Sequence, residues 1–347
     1  MFKSIKIKDF FKFFLSTLLF SGFSFNVFAE IKVVTTIQPL HSLISNVMGD
    51  TGKLNLILEG TASPHSFTLK PSHAKMLQNA DVIFWIDKDL ESFLEKPLKS
   101  IPKKAKVVHL MDLSSLEILK FREKNIYGGH DDHDKHNDHD KHGHKEDKHA
   151  KHDDHDKHAH KEDKHDKHDD HDKHGHAHAH GEFDVHIWLD PVNAKKIVEE
   201  VEHELSELDP KNAKIYKQNA KSTQKKLDAM IVDINKSINK KASFVTFHDA
   251  YQYFEKRFGV ESLGALTINT DDQPGAKQIA EIQDLVEDRK IKCIFSEPQF
   301  NPKLINMIAK NTGAKTGILD PLGSSYKPGK NLYFNLINDL YKNLNNC

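Results

Sequence analysis

Residues 210–240, PKNAKIYKQNAKSTQKKLDAMIVDINKSINK, decide how the rest of the chain is read. After Pro210 the stretch has no glycine and no further proline, and Ile215, Leu227, Met230, Ile231, Ile234 and Ile238 recur at largely helical spacing in a background rich in Lys and Gln. The pattern predicts one helix of about thirty residues, about 45 Å long at 1.5 Å per residue. A rod of that length joins two bodies and holds their separation.

On either side of the rod, short apolar or β-branched runs alternate with helical patterns. Before it, residues 31–37, 54–58, 82–86 and 106–110 read as strands, and 39–48 and 71–79 as helices opened by Pro39 and Pro71. After it, strands are expected at 244–247, 262–267, 291–296 and 316–319, with helices near 250–258, 274–288 and 302–311. Strand and helix in alternation imply a parallel sheet covered on both faces. The expectation is therefore an α/β chain of two lobes, 30–209 and 241–347, joined by the helix 210–240.

Two segments stand outside this scheme. Residues 1–29 begin with Lys3, Lys6, Lys8 and Lys12, continue through a mostly apolar run, and end in Val27-Phe28-Ala29, the form of a secretory signal cleaved after Ala29. The mature chain is then exported and soluble, without a cysteine at its new end to carry lipid, which suits a periplasm. Eighteen of the twenty-five histidines fall between His130 and His180, in a tract that otherwise uses almost only Asp, Lys, Glu, Gly and Ala. Its units repeat at a displacement of sixteen residues, His144 to His149 matching His160 to His165, and nothing in them packs a core. The tract reads as a disordered, metal-binding insertion, its 16 acids against 10 lysines attracting cations to several weak sites.

The net charge of −1 leaves no basic face for nucleic acid. Cys293 and Cys347 are the only cysteines. In an oxidising compartment such a pair tends to become a structural disulfide, the other reading being one buried and one terminal thiol.

Seven histidines remain outside the tract: His41, His65, His73, His109, His186, His203 and His248. In parallel α/β sheets ligands bind beyond the carboxyl ends of the strands, where loops converge. His65 follows the second expected strand, His248 ends the fifth, and His186 lies just before a helix opened by Pro191. Asp320 ends the last strand. Three imidazoles and one carboxylate drawn from both halves would make a tetrahedral zinc site, His65 and His186 from the first lobe and His248 and Asp320 from the second. A hydrogen-bonded loop histidine is the alternative at each position, and spacing does not choose between them. A hydrolase would need a general base, and His203-Glu204-Leu205-Ser206-Glu207 lacks the second histidine of a zinc protease helix.

Five segments in order, Ser63-Pro64-His65, His186-Ile187-Trp188-Leu189-Asp190-Pro191, Phe247-His248-Asp249-Ala250-Tyr251, Glu297-Pro298-Gln299 and Leu319-Asp320-Pro321-Leu322-Gly323, resemble the motifs of the solute-binding proteins that serve zinc and manganese ABC importers. The likeness covers the mature chain and is nearest to the zinc-specific periplasmic members. It implies metal ligation by His65, His186 and His248, with Asp320 as ligand or near neighbour. Some zinc-specific members carry a glutamate before the first histidine; Pro64 stands there in this chain, which moves the fourth position to Asp320 or water. A histidine rather than a glutamate at 248 favours zinc over manganese. The resemblance also implies the Cys293–Cys347 disulfide, a monomeric receptor rather than an enzyme, and a membrane permease as partner. A zinc-storage or adhesin-type metal binder would use the same residues.

Overall fold

The computed structural model describes residues 30–122, 124–126, 181–267 and 274–347; the expected signal at 1–29 and the His-rich tract at 130–180 lie outside them. Strands β1 (Ile31–Thr35), β2 (Gly52–Leu56), β3 (Val82–Trp85) and β4 (Lys106–His109) form one parallel sheet in the order β2-β1-β3-β4. Strands β5 (Phe244–His248), β6 (Ala265–Thr267), β7 (Cys293–Ser296) and β8 (Lys315–Ile318) form a second, in the order β6-β5-β7-β8. Each order reverses once, between β1 and β3 and between β5 and β7, so each sheet has a crevice beyond the carboxyl ends of its two central strands.

Helices cover the sheets, and several of their starts are chemically marked. Pro39 lies in the first turn of α1 (Gln38–Met48), and Pro71 opens α2 (Pro71–Gln78). A short α3 (Glu95–Ser100) follows β3. In α4 (Pro191–Leu208) proline again comes first, while the Asp190 carboxylate caps the end by accepting from the Val192 N–H at 2.8 Å.

The expected rod is broken once. Pro210–Asn212 form a 3₁₀ turn, and α5 runs over Ala213–Ser237, about 37 Å at 1.5 Å per residue. Its buried stripe is Tyr216, Ala220, Thr223, Leu227, Met230 and Ile234, alternating steps of four and three that keep one face inward. Ile215, counted in the apolar pattern, sits about 100° off that stripe and is 44 % exposed; Tyr216 fills the buried place instead. The helix stops at Ile238, whose extended backbone turns its side chain back into the core.

In the second lobe α6 (Gln252–Phe258), α7 (Ala276–Asp288) and α8 (Lys303–Thr312) flank the strands. A final helix, α9 (Leu332–Asn345), reaches across to α1 and α5 of the first half. The crossing is hydrogen-bonded: Ser42 Oγ and Asn46 Nδ2 donate to the Lys330 carbonyl at 3.2 and 2.6 Å, and Tyr333 N–H donates to Ser42 Oγ at 3.0 Å. Its far end is tied to β7 by the Cys293–Cys347 disulfide, with Cα atoms 5.8 Å apart.

Apolar packing follows the pleat. Along β5, Phe244 belongs to a core that continues through α4, α5 and α9 into the first sheet, whereas Val245 and Phe247 join a separate cluster under α7 and α8. Strand side chains alternate faces, so His248 falls on the Phe244 side, towards the other lobe. None of the helices among the described residues is long and apolar enough to cross a membrane.

Candidate metal centre

His248 is the last residue of β5, at the crevice of the second sheet, and is 3 % exposed. Glu297 follows β7 immediately, on the other side of the same crevice. Oε1 and Oε2 of Glu297 lie 2.7 and 2.8 Å from His248 Nδ1.

His186 precedes the 3₁₀ turn Ile187–Leu189 that leads into α4. By sequence this segment belongs to the first lobe, yet the second lobe also holds it through several hydrogen bonds. Trp188 Nε1 donates to the Pro321 carbonyl at 2.7 Å, and Tyr333 donates to the Trp188 carbonyl at 2.8 Å. Tyr253 donates to the Asp184 carbonyl at 2.7 Å, and Arg257 donates two bonds of 2.7 Å to the Asp190 carboxylate. His186 is thereby fixed to the body that carries His248. Its own Nδ1 lies 2.7 Å from Asp184 Oδ1, which also accepts the His186 N–H at 2.9 Å.

His65 comes from the loop between β2 and α2, half-buried, with the start of that loop held by Gln38 Nε2 on the Gly60 carbonyl at 2.8 Å. The three imidazoles converge. Ring centroids are 5.5 Å apart for His65 and His186, 5.9 Å for His65 and His248, and 5.2 Å for His186 and His248. One nitrogen from each lies within 4.8 Å of the others, and among the described residues no second group of three His, Cys or acidic side chains converges in this way. Nε2 of His186 and Nε2 of His248 are 3.3 Å apart. With a carboxylate accepting from Nδ1 on each ring, the proton is held on that side and both Nε2 lone pairs face inward. Two such lone pairs at this distance need a proton or a cation between them. The cavity there measures about 10 Å³, room for an ion or one water, and Pro64, Trp188, Phe300, Pro321 and Leu322 are among the residues that line it.

The electrostatics suit a cation. Burial, with the neighbouring His248, pulls His186 well below its ordinary value, leaving it neutral and able to coordinate. Burial also lowers His248, but the Glu297 carboxylate outweighs it and the net direction is up. Asp184, wholly buried, is pushed up to about 7 by desolvation.

Asp320, expected as the fourth ligand, is not in the converging group. Its Oδ1 accepts from Leu322 N, Gly323 N and Gln299 Nε2 at 3.1, 3.1 and 3.0 Å, and its Oδ2 from Ser324 N and Oγ at 2.6 and 2.8 Å. The carboxylate organises its own turn, in which Gly323 takes φ +66°. The remaining histidines lie elsewhere: His109 between Asp87 and Asp112, His73 capping α2 through the Lys70 N–H, His203 on α4 beside Glu207, and His41 on α1. Sequence reasoning missed Asp184 and the task of Glu297. The first sits two residues before His186, where spacing does not tell which way the carboxylate turns, and the second heads a quoted motif but meets His248 across 49 residues.

Comparison with known proteins gives concordant matches. The family model ZnuA, described as zinc-uptake complex component A periplasmic, matches residues 33–347. The high-affinity zinc uptake system protein ZnuA of Brucella abortus (strain 2308) is 42 % identical over 345 residues, 98 % of this chain and 99 % of that one. The protein of the same name from Yersinia pestis is 33 % identical, with 96 % of both chains covered. Among solved structures, the laminin-binding protein of Streptococcus agalactiae, titled a bifunctional protein with adhesin and metal transporting activity, superposes with a TM-score of 0.66 at 26 % identity, covering 90 % of this chain and 99 % of that one.

Proposed function

This chain belongs to the ZnuA family, the periplasmic component A of zinc-uptake complexes, and from that premise we propose that it captures Zn²⁺ on His65, His186 and His248 in the crevice between its lobes and passes it to the membrane permease of an ABC importer. The ion is cargo, not a resident cofactor. The observation that carries the assignment is the convergence of three imidazole nitrogens within 4.8 Å around a cavity sized for one ion. Solvent takes the fourth position, since the Asp320 carboxylate is fully engaged by its own turn and by Gln299. An all-imidazole set suits zinc better than manganese, which prefers oxygen. The mature protein starts after Ala29 and acts as a monomer, and the tract at 130–180 gathers further zinc weakly ahead of the crevice.

Chelator competition on a variant lacking residues 130–180 tests the assignment by isolating the crevice. One high-affinity zinc per chain is expected, and His65→Ala, His186→Ala and His248→Ala should each weaken it by more than the roughly ten- to hundredfold that follows loss of a partner hydrogen-bonded to a ligand. Unchanged affinity in all three would place the metal elsewhere.

A further inference from the structure

A divalent ion held by three neutral imidazoles brings a charge of +2 between two buried rings, those of His186 and His248. Such a charge is costly to bury unless opposite charge lies close by. The first sphere supplies none. Asp320 is occupied by five donors of its own neighbourhood. Asp190 is engaged by Arg257, and Asp249 and Glu255 by Arg122, so those carboxylates already have guanidinium partners. Two others face the imidazoles: Asp184, whose Oδ2 also accepts from Gln252 Nε2 at 3.2 Å, meets Nδ1 of His186 at 2.7 Å, and Glu297 meets Nδ1 of His248 at 2.7 and 2.8 Å. Both are buried, at 0 % and 3 % exposure.

Taking the three-histidine reading as given, we propose that Asp184 and Glu297 are the positioning residues of the site and determine its selectivity for a doubly charged ion: together they supply the two negative charges that balance Zn²⁺ while each fixes its histidine with Nε2 towards the metal. The geometry makes this more than orientation. A carbonyl or an amide oxygen would hold the same Nδ1 proton; an ionised carboxylate adds a charge beyond each ring, and at Asp184, which burial raises to about 7, the field of the bound cation favours that ionised form. Solvent, or a first-sphere carboxylate, is then not needed to neutralise the ion.

Isosteric amides separate charge from shape. Asp184→Asn and Glu297→Gln keep an oxygen to accept from Nδ1 and remove one charge each. In the 130–180 deletion variant, each should weaken Zn²⁺ binding about ten- to a hundredfold, and the double variant more than either. Ag⁺, a monovalent ion that also takes imidazole nitrogen, is the second probe. Losing a compensating charge should change Ag⁺ affinity clearly less than Zn²⁺ affinity, whereas a merely structural role would lower both alike. The Co²⁺ absorption spectrum should keep its band positions in Glu297→Gln, reporting the same three nitrogens. Equal losses for Ag⁺ and Zn²⁺, or undiminished Zn²⁺ binding in Glu297→Gln, would overturn the proposal. The parent reading fails separately, through His65→Ala, His186→Ala and His248→Ala. If Asp184→Asn does not fold, Glu297→Gln alone decides, since its carboxylate faces His248 from the strand-end loop.

Discussion

The geometry of single side chains carries two pH-dependent expectations. Zinc must displace any proton on the crevice histidines, and His248 is the one whose affinity for protons is raised, through Glu297. Metal affinity should therefore begin to fall at a pH above the ordinary imidazole value of about 6.5. In Glu297→Gln that acid limb should move to lower pH even as neutral-pH affinity drops, which titrations of zinc binding across pH 5–8 would show. Away from the crevice, Glu91 is fully buried, its Oε2 accepting from the Ile86 and Asp87 N–H groups at 2.9 and 3.1 Å, and burial pushes it from 4.5 up to about 7. A carboxyl raised on folding contributes stability that is complete below its unfolded value and lost as pH rises through the folded one. Glu91→Gln keeps an acceptor and carries no charge, so it should match the wild type near pH 4 and be more stable at pH 8 by up to about 3 kcal/mol, as denaturant melts at the two pH values would reveal. At this scale the sequence singles out His65, His186 and His248, because strand ends and motifs mark them, and the fold brings the three rings together. It could not disclose Asp184 and Glu297 as their partners, nor Asp320's engagement with its own turn, because those are facts of side-chain direction.

Elements were legible to the extent that their pattern was local. Strands such as Val82–Trp85 and Cys293–Ser296 are short buried runs whose chemistry announces them, and their limits shifted by only one or two residues. The long helix was read correctly in kind, but its stripe runs through Tyr216 rather than Ile215. A polar-tipped aromatic is easily passed over; its hydroxyl donates to Asp209 Oδ2 at 2.7 Å and so pays for its burial. Helix α9 lies outside the expected elements although Leu332, Tyr333, Leu336, Ile337, Leu340 and Leu344 trace a helical face. Leu227 lies wholly buried in the middle of α5. Leu227→Ala should cost about 2–5 kcal/mol, whereas Lys225→Ala, on the exposed face two residues away, should stay within about 0.5 kcal/mol; thermal melts of both variants make the comparison.

For the whole molecule, the two-lobe plan with parallel sheets followed from the alternation of strand and helix, whereas the degree of union between the lobes did not. That union arises from contacts between residues more than sixty positions apart: α9 against α1, Trp188 under Pro321, Arg257 on Asp190. Relative motion should accordingly be small, and the radius of gyration measured by X-ray scattering on the 130–180 deletion variant should change by less than about 1 Å on adding zinc, well short of a hinge closure. Replacing Cys293 and Cys347 by serine frees the end of α9 and removes a closed loop spanning 54 positions, which should cost about 3 kcal/mol, read as a lower unfolding midpoint in a single transition. The shared core has a further meaning for transport. A body whose halves share one core has little room to spring open unaided, so the contacts that unite it should also slow the escape of a captured ion into solution.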